Sequence, residues 1–309
     1  MYHSCKRCEF PMPYGTSEMI NKLVLGTAQF GLDYGIDNPA GRISEGEVHS
    51  LLKMASNAGI DSLDTAFAYG ESEAVLGRIF RGTDSGIHFK ITTKMAPGQA
   101  APTALGDSLA RLGCRSVHGY LLHDFNATRS GNLSQYRAMR AAVEQGLVEK
   151  GGFSLYYPFE LQHALDAGLD FELVQFPYSL LDRRFEPYFP MLNDMGVEVH
   201  VRSVYLQGLV FLDDDRLTGR LAKARESIGR LRAKAQKYHC GIAEACLRFA
   251  LSHPSVDRVV IGVNGIGNLA ENIGYGLAGV LDQDMLSELN DLAIDDESVL
   301  LPFLWNREK

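Results

Sequence analysis

Four reactive side chains follow three neighbouring apolar segments of the sequence. Asp64 and Tyr69 lie in the stretch Asp64-Thr-Ala-Phe-Ala-Tyr-Gly70, and Lys94 and His123 come at the ends of the next two apolar segments. A phenol has a pKa of about 10, and a nearby ammonium stabilises its charged form. Asp64 would supply the counter-charge that a buried Lys94 needs. A neutral His123 could donate a hydrogen bond that orients a substrate oxygen.

This combination suits a reaction that protonates an alkoxide or deprotonates an alcohol, which is half of carbonyl reduction. The other half is transfer of a hydride, which no side chain supplies, so a nicotinamide cofactor is implied. Each residue alone has a common structural explanation, because aspartate is frequent in turns and tyrosine in cores. The prediction therefore depends on the four residues occurring together.

Short apolar segments alternate with amphipathic helical segments along most of the chain. The predicted strands are Leu23–Gly26, Asp61–Asp64, His88–Thr92, Gly119–Leu122, Lys150–Phe153, Leu173–Phe176, Val197–Arg202 and Val259–Gly262. The predicted helices are Glu45–Ala58, Ser72–Phe80, Thr103–Leu112, Gln135–Gln145, Phe159–Ala167, Phe185–Met195, a pair within Leu221–Leu251, and Leu269–Ala278. Ser44 and Ser130 are predicted N-caps, and five glycines are predicted helix ends, at Gly59, Gly113, Gly146, Gly168 and Gly196.

Eight strand–helix units with right-handed crossovers predict an α/β fold, a single (β/α)8 TIM barrel, in which catalytic groups lie at the carboxyl ends of the strands. A doubly wound open sheet is the alternative. Its phosphate-binding turn has the spacing G-x-G-x-x-G, which the turn Gly26-Thr-Ala-Gln-Phe-Gly31 lacks. No linker interrupts the pattern, so we expect one barrel domain over residues 19–309. Residues 1–18 have no periodicity and are predicted to be an irregular extension.

The composition is that of an ordinary globular protein, with 309 residues, 46% of them hydrophobic and 22% charged. The net charge of −8 argues against binding to nucleic acid or to an anionic membrane surface. No apolar run reaches the roughly 20 residues of a membrane-spanning helix.

The five cysteines are scattered and odd in number, which fits a reducing cytoplasm better than a disulfide framework. Cys5 and Cys8 have the spacing of half a zinc site, but no second pair at metal-binding spacing accompanies them. We therefore predict a cytoplasmic protein without a metal site.

The motifs together resemble those of the aldo-keto reductases over roughly residues 20–280. Besides the four residues above, Gly26-Thr27, Gly152-Phe-Ser154, Gln175-Phe-Pro-Tyr-Ser, Gln207-Gly208-Leu209 and Ile261-Gly262-Val-Asn264 occur in the order of that family. The resemblance implies a barrel that transfers hydride between NAD(P)H and carbonyl compounds. It implies that Tyr69 is the general acid/base, that Lys94 lowers the pKa of Tyr69, that Asp64 pairs with Lys94, and that His123 positions the carbonyl group.

The same resemblance implies a cofactor site along several strand ends. Ser154 and Gln175 would bind the nicotinamide amide, and Asn272 would contact the adenine beside Glu271. The further cofactor-binding residues implied are Gly26, Thr27, Arg202, Ser203, Gly208, Gly262 and Asn264. The Gly-rich turn after the last strand leads into a helix expected to start near Asn268, and a helix N-terminus attracts a phosphate.

Three positions depart from the family pattern. Leu155 replaces the usual asparagine, and Arg202 replaces the aromatic residue that stacks on the nicotinamide. Gly265 and Ala270 stand where the family usually has the Lys and Arg that bind the 2′-phosphate of NADP. These differences predict that NAD(H) is used at least as well as NADP(H).

The main prediction is thus an NAD(P)-dependent oxidoreductase (EC 1.1.1.-) acting on a small aldehyde, ketone or sugar carbonyl. A cofactor-binding sensor or subunit with little activity is the alternative, motivated by Leu155 and Arg202. Four arginines could bind an anionic group of a substrate, namely Arg129, Arg183, Arg184 and Arg202. Tyr156 and Trp305 are candidates for lining the substrate pocket. The sequence specifies neither the particular substrate nor an oligomeric state.

Overall fold

Eight parallel strands close into a barrel in sequence order, with β1 paired to both β2 and β8. The computed structural model describes residues 16–36, 38, 40–82 and 87–305. The strands are β1 Leu23–Gly26, β2 Ser62–Asp64, β3 Lys90–Met95, β4 Val117–Leu122, β5 Val148–Ser154, β6 Leu173–Pro177, β7 Glu198–Arg202 and β8 Arg258–Ile261. This confirms the predicted (β/α)8 barrel.

Helices cover the outside of the barrel. They are α1 Thr16–Lys22, α2 Ala28–Gly31, α3 Glu45–Ala58, α4 Ser72–Gly82, α5 Ala101–Leu112, α6 Asn126–Arg129, α7 Ser134–Glu144, α8 Pro158–Asp166, α9 Phe189–Asp194, α10 Arg225–Lys237, α11 Ile242–Ser252, α12 Ile266–Leu277, α13 Gln283–Leu289 and α14 Glu297–Leu300. Short 3₁₀ segments lie at Glu186–Tyr188, Leu206–Phe211, Gly219–Ala224, Asn290–Leu292 and Pro302–Leu304.

Helix α3 shows how the sequence pattern forms these elements. Its buried residues, Val48, Leu51, Leu52 and Ala55, recur at helical spacing and face the strands. The Ser44 side chain accepts a hydrogen bond from the Glu47 backbone N–H, as an N-cap does.

The five glycines predicted to end helices all have a positive φ. The second predicted cap is wrong, because Ser130 follows the short helix α6 and α7 begins only at Ser134.

Some boundaries differ from the prediction because burial in a closed barrel overrides local polarity. Strand β3 continues through Thr93 and Lys94 to Met95, whereas the prediction ended it at Thr92. The predicted helix Phe185–Met195 is a 3₁₀ turn followed by the short α9. Helix α12 begins at Ile266, two residues before the expected Asn268. His239 has a φ of 50° and separates α10 from α11, as predicted for a helix break.

The barrel has two ends, which we call the mouth, at the carboxyl ends of the strands, and the base, at their amino ends. Strand β7 alternates Glu198, Val199, His200, Val201 and Arg202. Successive side chains of a strand point to opposite faces, so the three polar residues share one face and the two valines the other. Arg202 reaches the mouth and Glu198 the base.

Two remaining predictions concern the edges of the chain. Cys5 and Cys8 lie outside the described residues, and the helix from Thr16 overlaps the end of the predicted extension. Within the described ranges, no helix is long and apolar enough to cross a lipid bilayer.

Candidate active site

A buried ion pair lies at the mouth of the barrel, between the last residue of β2 and a residue of β3. Lys94 Nζ is 2.6 Å from Asp64 Oδ1, and both side chains are almost fully buried. Lys94 Nζ also donates to the Thr65 carbonyl at 2.9 Å, and Gln175 Nε2 donates to Asp64 Oδ2 at 2.7 Å. Burial lowers the pKa of Lys94, and the Asp64 carboxylate opposes that shift. Both charges are thus matched by hydrogen-bond partners, as a buried pair requires.

Tyr69 lies beside this pair. Lys94 Nζ is 5.1 Å from the centroid of the Tyr69 ring, and the His123 ring meets that ring edge to face with centroids 5.8 Å apart. Burial raises the pKa of Tyr69, Asp64 adds to the increase, and Arg202 opposes it. The phenol is therefore protonated at neutral pH. The structure brings the four predicted catalytic side chains together, while their roles stay predictions.

His123 directly follows β4 and is held as a neutral imidazole. Burial lowers its pKa to about 3, with the positive charges of Lys94 and Arg202 acting in the same direction. Nδ1 of His123 is buried and has no hydrogen-bond partner among the described residues. A neutral imidazole can donate from one nitrogen and accept at the other, which suits it to holding a carbonyl oxygen.

Two glycines fix the loop that carries Tyr69. A Cβ added to Gly31 would lie 1.9 Å from the Tyr69 carbonyl oxygen and 2.5 Å from the Ser72 nitrogen. Gly70 has a φ of +56°, and a Cβ there would lie 2.6 Å from the Gly31 carbonyl oxygen. Only residues without a side chain permit this approach, so α2 and the loop after β2 position the phenol.

A cleft of about 510 Å³ lies at the mouth. Asp64, Tyr69 and His123 line it, whereas Lys94 is fully buried behind Asp64. The predicted cofactor residues that line the cleft are Gly26, Thr27, Arg202, Ser203, Gly208, Gly262, Asn264, Glu271 and Asn272. Ser154 and Gln175 are buried and not among its lining residues; they are paired in register on β5 and β6.

Several predicted cofactor residues already have partners within the protein. Thr27 Oγ1 donates to the Asp64 carbonyl at 3.0 Å. Asn272 Oδ1 accepts from Tyr205 Oη at 2.5 Å, and its Nδ2 donates to the Asn268 carbonyl at 2.8 Å. These contacts orient the side chains and leave fewer free groups for a ligand.

Arg202 has contacts that its position in the sequence did not indicate. Its Nη2 donates to the Leu155 carbonyl at 2.9 Å, and its guanidinium lies 4.2 Å from the centroid of the Tyr156 ring. Glu160 accepts from the backbone N–H groups of Tyr156 and Tyr157, which holds this loop in place. Of the four arginines considered for anion binding, Arg202 alone lines the described part of the cleft.

The other three arginines are engaged elsewhere. Arg183 pairs with Glu186, and Arg184 pairs with Asp182 and Glu297. Arg129 donates to Asn126 and lies over a phenyl ring. Each of these three arginines thus already has a partner within the protein, and none lines the described part of the cleft.

Tyr156 lines the cleft, but Trp305 is not among the lining residues and its indole N–H donates to the Val299 carbonyl. The C-terminal segment instead reaches Tyr156 through Phe303, with ring centroids 5.1 Å apart.

Sequence reasoning missed part of the cleft wall. Gln207 Nε2 donates to Tyr34 Oη at 2.8 Å, and the Ile36 N–H donates to the Gln207 carbonyl at 3.2 Å, so the loops after β1 and β7 meet beside the cleft. Ser203, Leu206 and Gln207 have positive φ angles, which non-glycine residues rarely adopt. Nothing in the local sequence marks a contact between residues so distant in the chain.

A barrel whose mouth holds a protonated phenol, a buried amine–carboxylate pair and a neutral imidazole beside a cleft has the features of the barrel oxidoreductases. The family model described as the aldo/keto reductase family matches residues 22–294. The chain belongs to that family, whose members reduce carbonyl groups with NAD(P)H.

Relatives across nearly the whole chain agree with this assignment. An uncharacterized oxidoreductase, YqkF, of Bacillus subtilis is 24% identical over 89% of this chain and 94% of its own. A pyridoxal 4-dehydrogenase of Microbacterium luteolum is 24% identical over 87% of this chain and 93% of its own. The holo form of aldo-keto reductase AKR11C1 from Bacillus halodurans has the same fold, with a TM-score of 0.71, 21% identity, and coverage of 90% of this chain and 95% of that one.

The close approach of Gly31 to the Tyr69 loop predicts that Gly31→Ala displaces the phenol. We expect kcat for carbonyl reduction to fall about 100-fold, because a displacement near 1 Å has that effect on a reacting group. Gly106→Ala is the matched control, since no atom lies within 4 Å of the added Cβ in α5. Equal kcat values for the two variants, both checked for folding by circular dichroism, would contradict this account of the loop.

The depressed pKa of His123 predicts a pH-dependent contribution to stability. The unfolded chain takes up a proton below the ordinary histidine pKa of 6.5, whereas the folded protein resists it down to about 3. Stability is therefore lost as the pH falls, by about 2 kcal/mol from this residue between pH 7 and pH 5.

Urea unfolding of wild type and His123→Asn at pH 7 and pH 5 measures this contribution. We expect the variant to lose less stability on acidification than wild type. His88→Gln, at an exposed position, is the control and should behave as wild type. Parallel losses in wild type and His123→Asn would show that the imidazole is not held neutral by the fold.

Proposed function

We propose that the protein reduces an aldehyde, ketone or sugar carbonyl, or oxidises the corresponding alcohol, with Tyr69 as the general acid/base. The observation that carries this proposal is the protonated phenol of Tyr69 at the wall of the cleft, between His123 and the buried Lys94–Asp64 pair. A nicotinamide cofactor, NAD or NADP, supplies the hydride when bound.

The chain's own residues perform the proton transfer in this proposal. His123, neutral at working pH, holds the carbonyl oxygen by a hydrogen bond. Tyr69 Oη donates its proton to that oxygen as negative charge develops on it. The phenolate that results is stabilised by the positive charge of Lys94, whose Nζ is 5.1 Å from the ring centroid. Burial strengthens this interaction, because few water molecules screen it.

Two buried residues near the mouth of the barrel, Ser154 and Gln175, suit the amide of a nicotinamide. Gln175 Nε2 already donates a hydrogen bond to Asp64, so Oε1 of Gln175 is the atom that can accept one from a ligand. Oε1 is buried without a partner among the described residues, and Ser154 lies beside Gln175 in the register of the two strands. An acceptor and a hydroxyl side by side match a carboxamide, which both donates and accepts hydrogen bonds. Ser154 and Gln175 are therefore the residues that would hold it.

The surroundings of Gly265 support a preference for NAD(H). A Cβ built on Gly265 would lie 2.9 Å from Glu47 Oε1. By resemblance to the family, this is where a basic residue would bind the 2′-phosphate of NADP. A carboxylate in its place repels a phosphate, and Ala270 supplies no compensating charge.

Replacing Tyr69 by phenylalanine tests the role of the phenol. We expect Tyr69→Phe to lower kcat about 10²–10⁴-fold, the usual contribution of general acid/base catalysis. NADH binding, followed by nicotinamide fluorescence, should stay near the wild-type value because the ring is retained.

A Tyr69→Phe variant that keeps most of its kcat would contradict the assignment of the proton donor. The alternative of a cofactor-binding sensor rests on Arg202, which is held against Leu155 and Tyr156 at the nicotinamide end of the cleft. Tight NADH binding by wild type with no oxidation across a broad panel of carbonyl compounds would favour that alternative.

The cofactor preference is tested by kinetics with both nucleotides. We expect kcat/KM for NADH to equal or exceed that for NADPH, and Glu47→Gln to improve the NADPH value while leaving the NADH value unchanged. Glu45→Gln is the control, because Glu45 lies on the same helix but pairs with Arg78. A hundred-fold preference of wild type for NADPH would overturn this interpretation.

A further inference from the structure

Two histidines and a glutamate meet inside the barrel at its base. His118 is the second residue of β4, and Glu198 and His200 are the first and third residues of β7. Strands β4 and β7 do not pair with each other, so these side chains meet across the barrel interior. His118 precedes His123 by five residues, which is about 16 Å along a strand. The cluster is therefore separate from the catalytic groups at the mouth.

The possible ligand atoms of the cluster converge on one point. Glu198 Oε1 is 3.2 Å from His118 Nε2 and 2.6 Å from His200 Nε2, and the ligand atoms lie within 4.8 Å of one another. Tetrahedral zinc with bonds of about 2.0–2.1 Å holds its ligand atoms about 3.3 Å apart. Small side-chain rotations convert the observed triangle into that arrangement.

Further contacts hold the side chains of His118 and Glu198 in place, as neighbouring groups usually do for metal ligands in proteins. Glu149 Oε2 lies 2.8 Å from His118 Nδ1, and Lys150 Nζ donates to Glu198 Oε2 at 2.5 Å. A carboxylate that accepts from the far nitrogen of a ligating histidine fixes its tautomer and makes the other nitrogen a better ligand. Lys150 likewise holds the Glu198 carboxylate through Oε2, an oxygen that itself lies 3.3 Å from His118 Nε2.

We propose that this cluster is a binding site for a divalent transition-metal ion of the zinc type. His118 Nε2, His200 Nε2 and Glu198 Oε1 are the protein ligands, and imidazole nitrogens favour such ions over Mg²⁺ or Ca²⁺. A cavity of about 500 Å³ is lined by His118 and Glu198, so water can occupy the fourth position. The ion would join β4 to β7 and stabilise the base of the barrel. The sequence predicted no metal site, and no local motif links these two strands.

Equilibrium dialysis of the protein against Zn²⁺ tests the site, with Cys5 and Cys8 both replaced by serine to remove a competing thiolate pair. We expect one zinc per chain and a higher unfolding temperature at saturating Zn²⁺. Co²⁺ in place of Zn²⁺ should show the strong visible absorption of tetrahedral coordination, without a thiolate-to-cobalt band.

Three further variants in the same background separate the ligands from their surroundings. His118→Gln should abolish the stoichiometric binding and the stabilisation by Zn²⁺. Glu149→Gln, at a largely exposed position, should weaken zinc binding about 10–100-fold without disturbing the fold. His88→Gln should bind as wild type. Absence of stoichiometric zinc in the parent, or binding unchanged by both His118→Gln and Glu149→Gln, would show that the cluster is only an ion-pair network.

Discussion

A buried ammonium at the mouth of the barrel is the constraint on which the candidate active site depends. An uncompensated charge there would cost several kcal/mol, so the fold must surround Lys94 with acceptors. Asp64 and the Thr65 carbonyl meet that need, and Gln175 in turn satisfies the second oxygen of Asp64. Strands β2, β3 and β6 thus contribute to one hydrogen-bonded unit. Their register is a condition for the chemistry as well as for stability.

Burial and the neighbouring charges together set the protonation of the other groups at the mouth. Burial lowers the pKa of His123, with Lys94 and Arg202 acting in the same direction, and burial also raises the pKa of Tyr69. The site therefore holds a protonated phenol beside a neutral imidazole. Among the described residues, Arg202 contacts the Leu155 carbonyl, the Ser203 hydroxyl and the Tyr156 ring.

Elements with regular patterns could be predicted from the sequence, and contacts between distant segments could not. The bounds of β1 and α3 are as predicted, because an apolar run and a capped amphipathic helix are local signals. Strand β3 extends further than predicted, since Thr93 and Lys94 look polar locally but find partners in Glu73 and Asp64. The side chains at the mouth could be predicted because they lie at or just after the ends of predicted strands. The Tyr34–Gln207 contact could not be predicted, because it joins residues 173 positions apart.

Strand β7 carries polar side chains on one face, and these extend from the base of the barrel to its mouth. Parallel strands covered on both sides are usually apolar throughout, yet Glu198, His200 and Arg202 alternate with two valines. Polar groups inside a barrel are costly unless they are hydrogen-bonded, and His200 meets part of that need within its own strand, through Glu198. Arg202 donates to the Leu155 carbonyl at the mouth, and Glu198 Oε1 is hydrogen-bonded to His118 Nε2 at the base. The inward polar face of this one strand thus reaches both polar regions of the barrel interior, the candidate active site at the mouth and the histidine–glutamate cluster at the base.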